Sequence, residues 1–355
     1  MSEDNNGATS PAPEVLVTWP DYSATDHTLG GSLTAAGCQL NLNPKRGPRR
    51  PQEMRDLARN ATAAIVSTDP FDEHTLAACP HLRVIARVGV GVDSIDLDAA
   101  TRLGIIVTVT PGANENAVAE HTVGLILALV RRIAEHDGAI RRGEWNRTGE
   151  YAPWELAGCT VGLVGFGQIG QLVAQRLAGF DVEVLHNDPA HSDSGHPGFM
   201  PLDTLLRRSD VVSVHAPLLP STRHLLGRRE LSLMKPHALL INTARGGVVD
   251  EQALIDALEA QDLRGAGLDV FEEEPPRSAR LLKLANVVLS PHVGGISDRS
   301  TAAMTKRATE SVLAVLGGRR PPHVANGQVL AHPRAAALLA PERSLAGAVG
   351  TERPS

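Results

Sequence analysis

Residues Thr160-Val161-Gly162-Leu163-Val164-Gly165-Phe166-Gly167-Gln168-Ile169-Gly170 join a short β-branched run to three glycines in the spacing GxGxxG. Residues 171–177 then read as helix. A strand that runs through this spacing into a helix is built to approach a pyrophosphate. Gly165 permits the tight turn, Gly167 lets backbone come close to phosphate, and Gly170 lets helix and strand pack. The turn at Gln168 and Ile169 opens the helix, whose first N–H groups and positive dipole end face an anion. The next apolar run, 182–185, ends at His186-Asn187-Asp188. Asp188 lies eighteen residues beyond Gly170. An acidic side chain there can accept both hydroxyls of a ribose and repel a 2′-phosphate. Pro189, Ala190 and His191 follow without a Lys or Arg, so the spacing points to NAD rather than NADP.

Working outward, β-branched runs alternate with helix-forming segments on both sides of this motif. Upstream the expected strands are 15–18, 64–66, 84–86 and 105–108, with helical segments such as 53–59 and 73–78 between them. Downstream they are 160–164, 182–185, 211–214, 239–242, 265–268 and 287–289. Such alternation predicts parallel sheets with helical crossovers, an α/β fold. A long helix is expected over 116–142, a loop over 145–154 and a last helix over 297–316. Residues 1–13 read as disordered, and residues 327–355 as a loose Ala-, Pro- and Arg-rich tail.

The composition excludes several classes. The chain has 355 residues, 34 Lys plus Arg and 40 Asp plus Glu, for a net charge of −6. That sign argues against nucleic acid and offers no pull toward anionic lipid. Aromatic residues are 3%, too few for a base-stacking platform. No apolar run reaches the length of a membrane span. The N-terminus lacks a basic–apolar signal pattern. Cys38, Cys79 and Cys159 are few, odd in number and widely spaced, which excludes a disulfide framework or a paired-cysteine metal site. The chain therefore reads as a cytoplasmic protein with no metal. His186, His191 and His196 lack ligand spacing on one element and read as loop residues.

Three polar candidates follow the glycine motif, at strand ends or in the loops after them. Arg245 sits in Ile241-Asn242-Thr243-Ala244-Arg245-Gly246-Gly247, and a guanidinium fork suits a carboxylate. Glu274 closes the acidic run before Pro275-Pro276, and His292 sits in Ser290-Pro291-His292-Val293-Gly294-Gly295. A histidine can give or take a proton near neutral pH. Hydride transfer to a 2-oxo acid needs this small set: a cation for the carboxylate and an acid–base group for the oxygen.

These stretches resemble the D-isomer-specific 2-hydroxyacid dehydrogenase family, and within it the phosphoglycerate dehydrogenase branch, over roughly 15–326. The resemblance implies two Rossmann-like domains, one flavodoxin-like and one NAD-binding, separated by a cleft. Their expected bounds are 14–115 with 293–326 for the substrate domain and 116–292 for the NAD domain. It implies that Arg245 binds the substrate carboxylate and carbonyl, that His292 is the proton donor, and that Glu274 pairs with it. On the cofactor side it points to Thr243, Asp269 and Ala216 beside the nicotinamide, His215 next to them, and Ala244 and Gly294 in the flanking motifs. On the substrate side it points to Arg87, to the backbone N–H groups of Val88 and Gly89, and to Asn114. It further implies a homodimer formed through the long helix and the 145–154 loop.

One feature departs from the phosphoglycerate pattern. The run after the third expected strand, Ile65-Val66-Ser67-Thr68-Asp69-Pro70, lacks the phosphate-binding arginine of that branch. Arg87 and the basic run 45–50 are the remaining cations nearby in sequence. The expected activity is hydride transfer between NAD and a small 2-hydroxy or 2-oxo acid, with 3-phosphoglycerate as one substrate. The alternatives are hydroxypyruvate or glyoxylate reduction, and a corepressor-like NAD-sensing module.

Overall fold

A computed structural model describes residues 12–22, 30–45, 47–149, 152–192 and 195–339. The expectations for residues 1–11 and 340–355 lie outside the described residues, as does Arg46 of the basic run. The chain divides into two compact units, Met1–Pro111 with Thr301–Ser355, and Gly112–Ser300.

In the first unit five parallel strands, β1 (Glu14–Val17), β2 (Gln39–Leu42), β3 (Ala63–Val66), β4 (Val84–Arg87) and β5 (Ile106–Thr108), pair in the order β2-β1-β3-β4-β5. This is the flavodoxin-like order, with its switch point between β1 and β3. β3, β4 and β5 are buried along their whole length, as parallel strands covered on both faces must be. β2 is absent from the strands that the sequence predicts. It is an edge strand of sequence QLNL with no fully buried residue, so neither alternation nor an apolar run marks it. Tertiary pairing makes it a strand: it runs in register with β1, and Asn41 donates to Glu14 at 2.7 Å.

The tail expected to be loose from residue 327 is folded up to residue 339. A 3-10 turn, Gly327–Ala331, and a helix, Pro333–Leu338, bury Val329 and Ala335. Asn326 bonds Val107 N and Ile105 O at 2.9 Å each, and Arg334 donates to the carbonyls of Leu103, Pro80 and Leu82. Composition misses this because the segment is held by side chain–backbone bonds to the first sheet rather than by an apolar pattern of its own.

The second unit holds six parallel strands: β6 (Thr160–Val164), β7 (Glu183–Asn187), β8 (Val211–Val214), β9 (Leu239–Asn242), β10 (Gly265–Leu268) and β11 (Val287–Leu289). They pair in the order β11-β10-β9-β8-β6-β7. The order reverses at β6, which lies between β7 and β8, and the crevice at the carboxyl ends there is where such sheets bind ligands.

The expected helix over 116–142 is two helices, Glu115–Val130 and Ile133–Arg141. Trp154 N–H takes the carbonyl of Val130 at 3.1 Å, which would otherwise continue the helix. Arg132 turns into the left-handed region at φ 51°. The units also change hands at 111/112 and 300/301 rather than near 115 and 293. Residues 293–294 are held in the second unit because their N–H groups bond the Asp269 carboxylate, and residues 112–114 fold around the carboxylate of Glu115.

Candidate active site

The glycine motif folds as its spacing requires. Gly165 has φ +97°, and a Cβ there would lie 2.7 Å from the backbone of His215 and Ala216. Only glycine meets both demands. A Cβ on Gly170 would lie 2.5 Å from the carbonyl oxygen of Gly165, so the helix Gln168–Leu177 starts hard against the turn. Gly167 differs, because a Cβ there would meet nothing within 4 Å. Gly167 is also the N-cap of that helix and supplies no side-chain cap. Open backbone at an uncapped helix N-terminus is the cradle a pyrophosphate needs. Asp188 follows β7 beside it, its carboxylate accepting from Phe166 N at 2.8 Å and Ala190 N at 2.9 Å. Burial pushes this carboxyl upward, but the two N–H donors and the nearby His191 and His186 outweigh it and hold the group below the usual carboxylate range. The residues present therefore fit a dinucleotide.

Past β9, Asn242 clamps the next turn. Its side chain accepts from Ala244 N at 3.1 Å and donates to the carbonyl of Arg245 at 2.9 Å. This fixes the backbone from which the half-buried Arg245 projects; its Nη1 donates to Ala244 O at 2.6 Å. Gly246 follows because a Cβ would come within 1.9 Å of the Phe271 backbone. Past β10, Asp269 is 1% exposed and accepts from Ser290 Oγ at 2.6 Å, Gly294 N at 2.7 Å and Val293 N at 2.9 Å. Burial opposes its charge, but His121, Ser290 and the two N–H groups hold its carboxyl below the ordinary value. Asp269 thereby pins the loop that carries His292.

His292 itself sits at φ 54°, with its N–H bonded to Asp269 O at 2.8 Å. Its Nδ1 lies 2.8 Å from Glu274 Oε2. Glu272 instead pairs with His224 at 2.6 Å, and Glu273 with Arg277 at 3.1 Å. Of the three consecutive glutamates, the structure puts Glu274 alone on His292.

A model of the family described as D-isomer specific 2-hydroxyacid dehydrogenase, NAD binding domain, matches residues 123–294. A glyoxylate reductase of Thermofilum pendens is 43% identical over 317 residues, which cover 85% of this chain and 92% of that protein. The chain belongs to the D-isomer-specific 2-hydroxyacid dehydrogenase family. A D-3-phosphoglycerate dehydrogenase of Mycobacterium leprae is 39% identical over 315 residues, 86% of this chain but 59% of the relative. A solved protein of Thermus thermophilus superposes with a TM-score of 0.80 at 38% identity, covering 88% of this chain and 99% of that one.

This 2-hydroxyacid dehydrogenase is thus an oxidoreductase acting on a CH–OH group with a nicotinamide cofactor. No helix among its described residues is long and apolar enough to cross a membrane. Among the residues expected on the cofactor side, Thr243 Oγ1 shares a hydrogen bond with Thr122 Oγ1 at 2.8 Å. His215 bonds Ser213 Oγ at 3.0 Å through Nε2, and its buried Nδ1 has no hydrogen-bond partner among the described residues. Burial pushes the pKa of His215 down to about 4.

The substrate-side residues expected in the first unit bond within the protein. Val88 N–H is donated to Val66 O at 2.7 Å and Gly89 N–H to Thr110 Oγ1 at 3.0 Å, because β4 keeps pairing past Arg87. Arg87 is buried, and its guanidinium turns back onto the carbonyl of Val88. Asn114 lies in the second unit, its Nδ2 2.7 Å from where a Cβ of Gly295 would stand.

Sequence reasoning misses two features. His121, on the helix Glu115–Val130, bonds Ser290 Oγ through Nε2 at 2.8 Å and lies 3.4 Å from Asp269. A histidine next to the apolar stripe of that helix is the available signal. His186, His191 and His196 also come together, and His186 belongs to β7 rather than to a loop.

Proposed function

We propose that this chain is an NAD-linked reductase of small unphosphorylated 2-oxo acids of the glyoxylate and hydroxypyruvate class, running reversibly to the D-2-hydroxy acid. The observation that carries the reaction type is the His292–Glu274 pair at 2.8 Å, held in the same unit as Arg245. With Nδ1 committed to Glu274, Nε2 of His292 is the nitrogen left to exchange a proton with the substrate oxygen. Arg245 binds the carboxylate and polarises the carbonyl through its fork of donors. Bound nicotinamide supplies the hydride to the carbonyl carbon, or takes it in the reverse direction. In reduction, the proton on Nε2 goes to the carbonyl oxygen, and Glu274 keeps the ring oriented throughout. The carboxylate of Asp188 supports NAD over NADP, because it repels a 2′-phosphate.

An unphosphorylated substrate is supported by the first unit. At the switch point of its sheet, where phosphoglycerate enzymes are expected to carry an arginine, stands Asp69. Its carboxylate takes Thr18 Oγ1 at 2.6 Å and Arg49 Nη1 at 2.7 Å, so the cation beside it is already neutralised. The glyoxylate reductase relative also matches along 92% of its own length, the phosphoglycerate relative along 59%. The test is a panel assay with NADH on glyoxylate, hydroxypyruvate, pyruvate and phosphohydroxypyruvate. The reading expects the highest kcat/KM on one of the first two; a preference for phosphohydroxypyruvate overturns it.

The same reading includes a homodimer. Ile133 and Ile140 on the helix Ile133–Arg141, and Trp145 just after it, are more than half exposed, Trp145 at 74%. A cluster of large apolar side chains in water is costly unless covered. Sedimentation at micromolar concentration should give a dimer, and a monomer there would refute this part.

A further inference from the structure

We infer that His186, His191 and His196 form a tridentate site for a divalent cation of the zinc class, set beside the phosphate turn. Their ligand nitrogens all lie within 4.8 Å of one another, and this is the one such group among the described residues. His191 Nδ1 and His186 Nε2 are 3.3 Å apart. For tetrahedral zinc with Zn–N bonds of about 2.0–2.1 Å, neighbouring ligand nitrogens stand about 3.4 Å apart. One edge of the polyhedron is therefore already at its metal-bound length. The other two edges are no longer than 4.8 Å, and His191 and His196 lie on the connection between Asp188 and Phe199.

The fold brings the three rings together for an identifiable reason. His186 is 1% exposed within β7, and its ring is fixed by stacking on Phe166 with centroids 3.9 Å apart. The chain leaves β7, makes the 3-10 turn Pro189–His191, and returns to pair again: His186 N bonds Gly198 O, and Met200 N bonds His186 O, each at 2.9 Å. That return delivers His196 edge-on to the fixed ring at 4.8 Å between centroids, and stacks it on His191 at 4.5 Å. Three imidazole ligands suit zinc, with nickel, cobalt and copper as chemical cousins. A cation here would tie His191 and His196 to β7 and to Phe166, one residue from both Gly165 and Gly167.

The site can be tested on protein stripped with a chelator and carrying no affinity tag. Titration with Zn2+ alone, competed against a chromophoric chelator, should give one equivalent bound. Co2+ in its place should give the intense visible absorption of a tetrahedral nitrogen site. Because His186 is buried, the variants are His191→Gln and His196→Gln, singly and together. Each should weaken Zn2+ binding at least about 100-fold, since even outer partners of a metal site contribute 10–100-fold. No binding by the parent protein, or equal binding by the double variant with unchanged circular dichroism, overturns the assignment.

Discussion

His292 and Glu274 meet at 2.8 Å through Nδ1 and Oε2, and the second carboxylate oxygen of Glu274 accepts the backbone N–H of Phe271 at 3.3 Å. The glutamate is thus anchored at one end and orients the ring at the other. Glu274→Gln keeps a hydrogen-bond acceptor but loses the charge that stabilises an imidazolium. It should lower kcat by about 10–100-fold with a small change in KM, whereas His292→Asn removes the proton donor and should cost about 10²–10⁴-fold. Steady-state kinetics with NADH and glyoxylate across pH 5–9 checks both. Parent-level activity in both variants would remove the pair from the mechanism.

Arg245 should behave as a fork rather than as a charge. Arg245→Lys keeps the cation and loses the paired donors, so kcat/KM should fall about 10–100-fold, the size of one lost charge-assisted hydrogen bond. The side chain of Asn242 bonds the backbone of Ala244 and Arg245. Asn242→Ala should therefore lower 2-oxo acid turnover on its own, yet cost little more when combined with Arg245→Lys. If Arg245→Lys matches the parent enzyme on every 2-oxo acid, the carboxylate lies elsewhere.

Much of this site is legible because its residues sit next to strand ends in short motifs. Arg245, Asp269 and His292 follow β9, β10 and β11 within a few positions, so sequence order nearly gives spatial order. What stays hidden depends on distant pairing. β2 exists through its register with β1, the 327–339 segment through Asn326 and Arg334, and the His186–His191–His196 cluster through the return of the chain at Met200. The surroundings of the Val88 and Gly89 amides are also hidden from the sequence. The motif around them reads correctly as a strand end, but the chain continues to donate N–H groups beyond β4, to Val66 and Thr110.

Two glycine substitutions should separate fold from cofactor binding. Gly246→Ala drives a Cβ into the Phe271 backbone and has no room to relax, so it should destabilise the protein by several kcal/mol or prevent its folding. A methyl group at Gly167 meets no protein atom within 4 Å. Gly167→Ala should melt within a few degrees of the parent yet bind NADH at least about tenfold more weakly, as read by fluorescence titration. Unchanged NADH affinity there would move the pyrophosphate away from this turn.

Asp188 has two duties that a single substitution can split. Its carboxylate accepts from Phe166 N and Ala190 N, and it stands where ribose hydroxyls would donate to it. Asp188→Asn retains an oxygen for one of the N–H groups but removes the charge that repels a 2′-phosphate. The ratio of kcat/KM for NADH over NADPH should fall by an order of magnitude or more, mostly through the KM for NADPH. A parent enzyme that already prefers NADPH would contradict the role given to this aspartate.

His215 gives the acid limb of stability a defined sign. Its pKa is 6.5 when unperturbed and about 4 in the folded chain, where burial disfavours the charged ring. Between those values the unfolded state binds the extra proton, so stability falls as pH drops from about 6.5 toward 4 and levels off below. Burial shifts His186 in the same direction, so it adds to the same limb. Asp269 and Asp188, both held below the usual carboxylate range, lose their contributions as protons reach their lower folded-state values. At full effect the loss from His215 is on the order of 3 kcal/mol. His215→Asn, which cannot charge, should make that limb shallower in urea melts collected from pH 7 to pH 4.5, leaving the part that His186 carries. An unchanged slope in the variant would place the proton uptake on another group.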